Sequence, residues 1–480
     1  YHGGIPLLLA NQLLYVLVSI VAVIALRPTI KSDWPLLLMF IVVLYNPMTF
    51  SLNHIAHVDR IALYAPLTLL FHACLVGLFL RGKAPIITKV WWAVGVGGTL
   101  GLMIITREAS VWVYPALVAI ITAIAIIPRY KREVFSRVNL VPVVVILFFS
   151  ALPTQAVSFM NWKYFDFYGV TEFGDTEFAR AYGALSRVEP KSLNMRVPVS
   201  VEARQIGYTV SPSFSELELL LEGGVGAGWS EASSLSLGEP MNGEIAGGWF
   251  HWAIRDAASK AGKHQWYKGS EIFYKNMADE INDACNREVI SCLSPRRGFA
   301  PVFSADQLVP TIVVFYQAWI SMLQFTQYIS ESAESVGQDW MLDMFRDYTA
   351  EKLSINWQDR PPTEKYVEKQ RNAERTLLKI HKRYRQWAPI GAALIFFMLI
   401  FQVVTWSRLS TDSKILSLSL TAILVNMSAY VLMLSYIEVT SFLTVNHHYL
   451  YPNHALLCWV IGAGIAIFLS SVFERTKRRA

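Results

Sequence analysis

Three short polar stretches interrupt long apolar runs and hold the residue types that do chemistry. Residues 51–60, SLNHIAHVDR, carry His54, His57, Asp59 and Arg60. Residues 104–115, IITREASVWVYP, set Arg107 and Glu108 side by side between two uncharged runs, 90–105 and 109–127. Residues 437–453, IEVTSFLTVNHHYLYPN, carry Glu438, Asn446, His447, His448 and Tyr449. An arginine offers a planar fork of donors that suits phosphate. A carboxylate or imidazole within hydrogen-bond reach can take the proton of an attacking hydroxyl. Ionisable groups beside a bilayer core are costly, so they pair, face a cavity or react. Each stretch also has a structural reading. Arg107 and Glu108 suit the cap of a tight helical hairpin, with Glu108 favoured at the next helix N-terminus. Asp59 and Arg60 suit a surface ion pair of little consequence. His447 and His448 suit an interfacial position beside the aromatic anchors Tyr449 and Tyr451.

The elements that position these residues follow from composition. The 480-residue chain is 54% hydrophobic and only 16% charged, against roughly a quarter charged in soluble proteins. The deficit falls in blocks, which marks a polytopic membrane protein. A span needs about 20 mostly apolar residues. Such runs occur at 5–26, 34–50, 61–80, 90–106, 109–127 and 139–157, then at 389–407, 414–436 and 453–473. The expected organisation is therefore a bundle of six spans over 1–157, a polar region over 158–388, and three spans over 389–480 ending in a basic tail.

Lysine and arginine in short loops set orientation. Alternate loops hold Arg27 and Lys31; Arg81, Lys83 and Lys89; Arg129, Lys131, Arg132 and Arg137; Arg408 and Lys414; and the tail adds Arg475, Lys477, Arg478 and Arg479. The opposite short loops hold only Arg60 and Arg107. The basic side is expected in the cytoplasm, with the 158–388 region and all three reactive stretches outside. Two features run against this: the basic KIHKRYRQW at 379–387, and the apolar 310–328, which Gln317, Gln324 and Gln327 punctuate as an interfacial or buried helix rather than a span. Nine spans and a cytoplasmic tail put Tyr1 outside, so at least one further span is expected before it.

The 158–388 region reads as mostly helical. GEIAGGWFHWAIRDAASKAG (243–262) has apolar residues at helical spacing and a glycine stop. Residues 350–375, highly charged with Pro361 and Pro362, read as a solvated linker. Of four cysteines, Cys74 and Cys458 fall in apolar runs as packing residues, and Cys285 and Cys292 pair only in an oxidising compartment. No cofactor is indicated. A metal would need His54, His57, His447 and His448 to meet from distant loops, and neither HExxH nor a CxxC pair occurs. No phosphate-binding glycine loop follows a strand, GVGG at 95–98 lies inside a span where small residues favour close helix packing, and nucleic acid is not an expected partner.

The order of these blocks resembles a group of bacterial polytopic proteins that look like GT-C superfamily glycosyltransferases. The resemblance runs through YHGGIPLLLANQLLYVL, NPMTFSLNHIAHVDRIALYAPLTLL, LMIITREASVWVYPAL, RAYGALSRVEP, EIAGGWFHWAIRDA and VTSFLTVNHHYLYPNHALL, essentially the whole chain. It implies an all-α, GT-C-like helical bundle with a large, mostly helical extracytoplasmic domain in a bacterial inner membrane. The implied activity moves a sugar from a polyprenyl-phosphate donor to a glycan or lipid acceptor of the cell envelope, as in envelope polysaccharide biosynthesis. The superfamily's acid or base usually lies in the first external loop, which would precede Tyr1. This chain departs from the group where an Arg-Glu-Glu-Gly reads Arg107-Glu108-Ala109-Ser110, and where an Arg-Val-Ile-Arg-Glu reads His57-Val58-Asp59-Arg60-Ile61. His448 replaces a frequent arginine.

On this reading Arg60, Arg107 and a protonated His448 contact the donor phosphate, with the basic run at 379–385 guiding the lipid headgroup. Glu108, then Asp59, serve the acceptor hydroxyl, and His54, His57, His447, Tyr449 and Glu438 complete the cavity. A polymerase or ligase of lipid-linked glycans would want more than one arginine for a pyrophosphate. A transporter or flippase would favour repeats and midplane charges, and a non-catalytic envelope scaffold would lack convergent charges.

Overall fold

The computed structural model describes residues 5–51, 60–113, 137–174, 176–192, 194–296, 298–299, 303–329, 335, 337–351, 353 and 364–479. Among them the secondary structure is helical, with no strand and a single isolated bridge between Val188 and Cys292. Seven helices are long and apolar enough to cross a membrane: Leu7–Ala25, Ile61–Leu80, Ile86–Thr106, Leu140–Phe165, Arg371–Val404, Thr411–Thr440 and His447–Ser470. The chain divides into two compact units. One comprises residues 1–153, 317–431 and 446–480, and the other 154–316 and 432–445.

In the first unit, Ile61–Leu80 and His447–Ser470 are the interior helices, each 78% buried over its most apolar window, whereas Leu140–Phe165 is 6% buried. A helix apolar on every side is at home in such a core or in lipid. Ile61–Leu80 packs against Leu7–Ala25, Ile86–Thr106 and the His447–Arg479 helix. Close approach of Ile86–Thr106 to its neighbour depends on glycine. A Cβ at Gly97 would stand 2.5 Å from the Ile146 carbonyl oxygen, and one at Gly101 2.6 Å from that of Ser150. That four-residue spacing is the small-residue face by which apolar helices pack backbone to backbone.

Three boundaries differ from expectation. The run 34–50 is split: helix Asp33–Leu44 is 12 residues long, and Pro47–Phe50 forms a 3-10 turn after Asn46, whose side chain accepts from the Met48 N–H. Twelve residues rise only about 18 Å, short of the roughly 30 Å core. After Thr106 the chain does not re-enter an α-helix. Arg107 is extended and a 3-10 helix runs from Glu108 to Val113, and the rest of the expected 109–127 span lies outside the described residues. Thirdly, Glu364–Val404 is one 41-residue helix, so the second half of the expected linker and the basic 379–387 run are helical and continuous with the apolar segment. Pro389 sits inside it, where charge gives way to apolar residues. Residues Leu308–Gln324 form a 17-residue helix.

The second unit is built on Glu177–Leu185, Val201–Val210, Gly224–Leu237, Gly247–Lys260 and Tyr267–Asn286. Thr176, Ser200 and Ser211 cap helices by accepting from backbone N–H groups of Ala179, Ala203 and Phe214, a gain of about 1 kcal/mol each. Phe178, Tyr182, Phe214, Phe250, Ile254, Tyr274 and Ile281 lead its core. The 243–262 helix forms as expected over Gly247–Lys260, with Gly262 at φ +73° beyond its end. Cys285 and Cys292 are joined in a disulfide, and Cys74 and Cys458 are free and buried.

Candidate functional site

Of the three reactive stretches, the described residues bring two together. Arg107 follows the last residue of Ile86–Thr106, and its N–H donates to the Met103 carbonyl at 3.0 Å. A helix C-terminus carries partial negative charge, which favours a cation there. The guanidinium lies 4.6 Å from the Tyr449 ring centre and 5.6 Å from that of Tyr64. Its Nη1 donates to the His448 carbonyl at 3.2 Å. Rings on the cation restrict its swing and leave the planar fork oriented. Among the described side chains no carboxylate pairs with it.

The far side of this grip is also fixed. His447–Arg479 begins at His447, and the His448 N–H donates to the Asn446 side chain at 3.0 Å. The His447 and His448 rings lie 3.9 Å apart. Ser110 Oγ donates to one of two carbonyls, Arg107 at 2.7 Å or Met103 at 2.8 Å, and lies 3.2 Å from Tyr64 Oη. Trp112 Nε1–H donates to the same Tyr64 oxygen at 2.7 Å. The turn after Thr106 is thereby tied to the start of Ile61–Leu80.

The other candidate residues fall into different cases. Glu108 lies in the 3-10 helix next to Arg107, its side chain outside the described set, and Arg60 precedes Ile61–Leu80, exposed. His54, His57 and Asp59 fall outside the described residues. Glu438, in the second unit, faces its own turn: its carboxylate accepts from the Thr444 N–H and, at 2.9 Å, from the Val445 N–H. Those two bonds close the turn after Thr440. Among the described residues no cluster of three His, Cys, Asp or Glu side chains could hold a metal ion.

A polar seam that the sequence reading passed over continues inward from this grip. His72 is 1% exposed and Asn426 fully buried. His72 Nδ1 bonds the Thr68 carbonyl at 2.8 Å and Nε2 meets Asn426 Nδ2 at 3.0 Å. Because a carbonyl only accepts, Nδ1 carries its proton toward Thr68, and Nε2 faces the Asn426 amide. Trp112 stacks 6.0 Å from His72 and lies 4.5 Å from Tyr430. The signal was present in the sequence, as one histidine and one asparagine within otherwise apolar spans, where polar groups tend to pair across helices. No known family model, curated protein or solved structure matches the chain.

Proposed function

We propose that the chain is a membrane transferase that moves a sugar from a polyprenyl-phosphate donor to a cell-envelope acceptor, with Arg107 contacting the donor phosphate. The observation that carries this reading is Arg107 itself, a cation held by two phenol rings and a carbonyl where apolar helices end. Departure of a lipid phosphate builds negative charge on its oxygens, and a pre-oriented guanidinium lowers the barrier by offering donors that need no reorganisation. Glu108 follows Arg107 directly and is assigned the acceptor proton. Arg60, at the start of a neighbouring helix, supplies the second cation, and Asp59 the second carboxylate. The lysine and arginine bias of the short loops supports an extracytoplasmic position for this face, and the Cys285–Cys292 disulfide is in keeping with an oxidising compartment for its own unit.

One observation favours a second reading. The His448 carbonyl already takes a hydrogen bond from Arg107, so the arginine also locks two helices together, as it would in a non-catalytic scaffold. Farnesyl phosphate and farnesol separate the two, since they share a tail and differ in headgroup. Titrated into the detergent-solubilised protein, the phosphate is expected to bind at least about tenfold tighter, about 1.4 kcal/mol, and Arg107→Gln to erase that preference. Equal binding of both probes, or a preference that survives the substitution, would overturn the transferase reading in favour of the scaffold.

A further inference from the structure

Two of the arginine–glutamate pairs in the second unit differ in kind. Arg204, 1% exposed, is saturated. Nε and Nη2 donate to the two oxygens of Glu222 at 2.7 and 3.1 Å, Nη2 also donates to the Gly243 carbonyl at 3.0 Å, and Tyr208 Oη donates to Glu222 at 2.8 Å. That is how a guanidinium is built into a core. The second pair, Arg255 and Glu172, keeps 27% and 21% exposure. Nη2 stands 3.1 Å from Glu172 Oε2 without hydrogen-bond alignment, and Arg255 Nε is buried with no partner.

Around this looser pair the surroundings are aromatic and partly open. The Arg255 guanidinium lies 5.3 Å from the Trp252 ring centre, 5.8 Å from Phe173 and 6.0 Å from Phe178. Trp252 is 40% exposed, and Trp266, two residues beyond His264, is 76% exposed. His264 Nε2 stands 3.6 Å from Glu172 Oε2, while its Nδ1 is tied to Tyr274 Oη at 3.2 Å. Glu172 Oε2 is thus buried against Arg255 and His264, and the side chain's remaining exposure falls on its other atoms. A carboxylate braced on one side, beside an exposed indole, is the combination that accepts sugar hydroxyls while the ring stacks on the sugar's C–H face.

We propose that Trp252, Glu172, Arg255 and His264 form a saccharide-binding site on the second unit, for an uncharged pyranose. Glu172 accepts from ring hydroxyls and Trp252 supplies the stacking platform. An acid sugar is disfavoured by Glu172, and an apolar ligand would leave the carboxylate desolvated and unmatched. This goes beyond the donor reading by giving the second unit a ligand of its own, and it is measured without turnover, so the two stand or fall separately.

The test is saturation-transfer NMR on the intact protein in detergent, with cellobiose and N,N′-diacetylchitobiose as probes. Transfer to the C–H protons of at least one disaccharide is expected. Glu172→Gln, which keeps the shape of the side chain, and Trp252→Ala are each expected to weaken it by about tenfold, and Trp252→Phe to retain most of it. Near-UV circular dichroism of each variant establishes that the fold persists. Absence of transfer to both sugars would overturn the proposal, as would binding that neither Glu172→Gln nor Trp252→Ala alters.

Discussion

The guanidinium of Arg107 stacks on Tyr449 at 4.6 Å and donates to the carbonyl of His448, 341 residues further along the chain. The grip needs a planar cation with several donors, which lysine is not. Arg107→Lys is therefore expected to lose the phosphate preference almost as fully as Arg107→Gln. Tyr449→Phe keeps the ring and should retain it, whereas Tyr449→Leu should cost about two- to fivefold, the worth of an exposed cation–π contact. Competitive titration with farnesyl phosphate reads all three. A lysine variant that binds like the parent would show that charge alone is what matters.

Arg204 and Glu222 make the opposite prediction. The arginine is almost fully buried, so Glu222→Gln leaves a buried cation short of its counter-charge. The expected destabilisation is about 3 kcal/mol or more, read as a lower melting temperature in detergent. Glu172→Gln, at the part-exposed pair, should cost less than about 1 kcal/mol. Equal losses at both sites would refute the distinction between a saturated and an open pair.

The Cys285–Cys292 bridge closes a short loop, with a separation of seven residues. Cross-linking so short a loop is worth about 2–3 kcal/mol on the chain-entropy account. A Cys285→Ser, Cys292→Ser double variant should melt at a lower temperature by the corresponding amount. Mass spectrometry after maleimide treatment of the native protein should find all four cysteines unlabelled, two because they are bridged and Cys74 and Cys458 because they are buried. Labelling of Cys285 without reductant would contradict the bridge.

Burial holds the His251 imidazole down at about 4, and the nearby Arg255 cation acts in the same direction. An unfolded chain takes up that proton near 6.5. Between these values the unfolded state binds more protons, so stability is retained above pH 6.5 and falls as pH drops toward 4. His264, also lowered chiefly by burial, adds a loss of the same sign. The His251 share amounts to about 3 kcal/mol at most. In His251→Gln the decline in melting temperature between pH 6.5 and 4 should be visibly shallower. A decline as steep as the parent's would assign it to other groups.

Much of the bundle was legible because hydrophobic runs are a direct consequence of membrane thickness. The run 61–80 coincides with the helix Ile61–Leu80, and 5–26 and 90–106 differ from Leu7–Ala25 and Ile86–Thr106 by a few residues. Composition could not show that Asn46 and Pro47 would end the second helix early, because the decisive element is one side chain bonding one N–H. Nor could it show that Glu364–Val404 is continuous. Charged residues such as Glu368, Arg371 and Arg375 read equally well as linker or as solvated helix face, and tertiary support decides. At the candidate site, Arg107 and His448 stand at helix ends, but their partners were not legible in the sequence. Arg107 found a ring and a carbonyl, and Glu438 turned to the backbone of Thr444 and Val445. Such pairings are set by three-dimensional neighbours that no local pattern encodes.

The 41-residue helix Glu364–Val404 has a mechanical consequence. At 1.5 Å per residue it is a rod of about 60 Å, roughly twice the thickness of a hydrocarbon core, and helices bend sharply at few places other than a proline. Pro389 is such a point, and it lies between the turns carrying Lys379, Lys382 and Arg383 and the apolar half, so a bend there would set the angle at which the charged turns leave the apolar shaft. In a bilayer, the fit of the apolar shaft to the lipid around it would set the height of those cations.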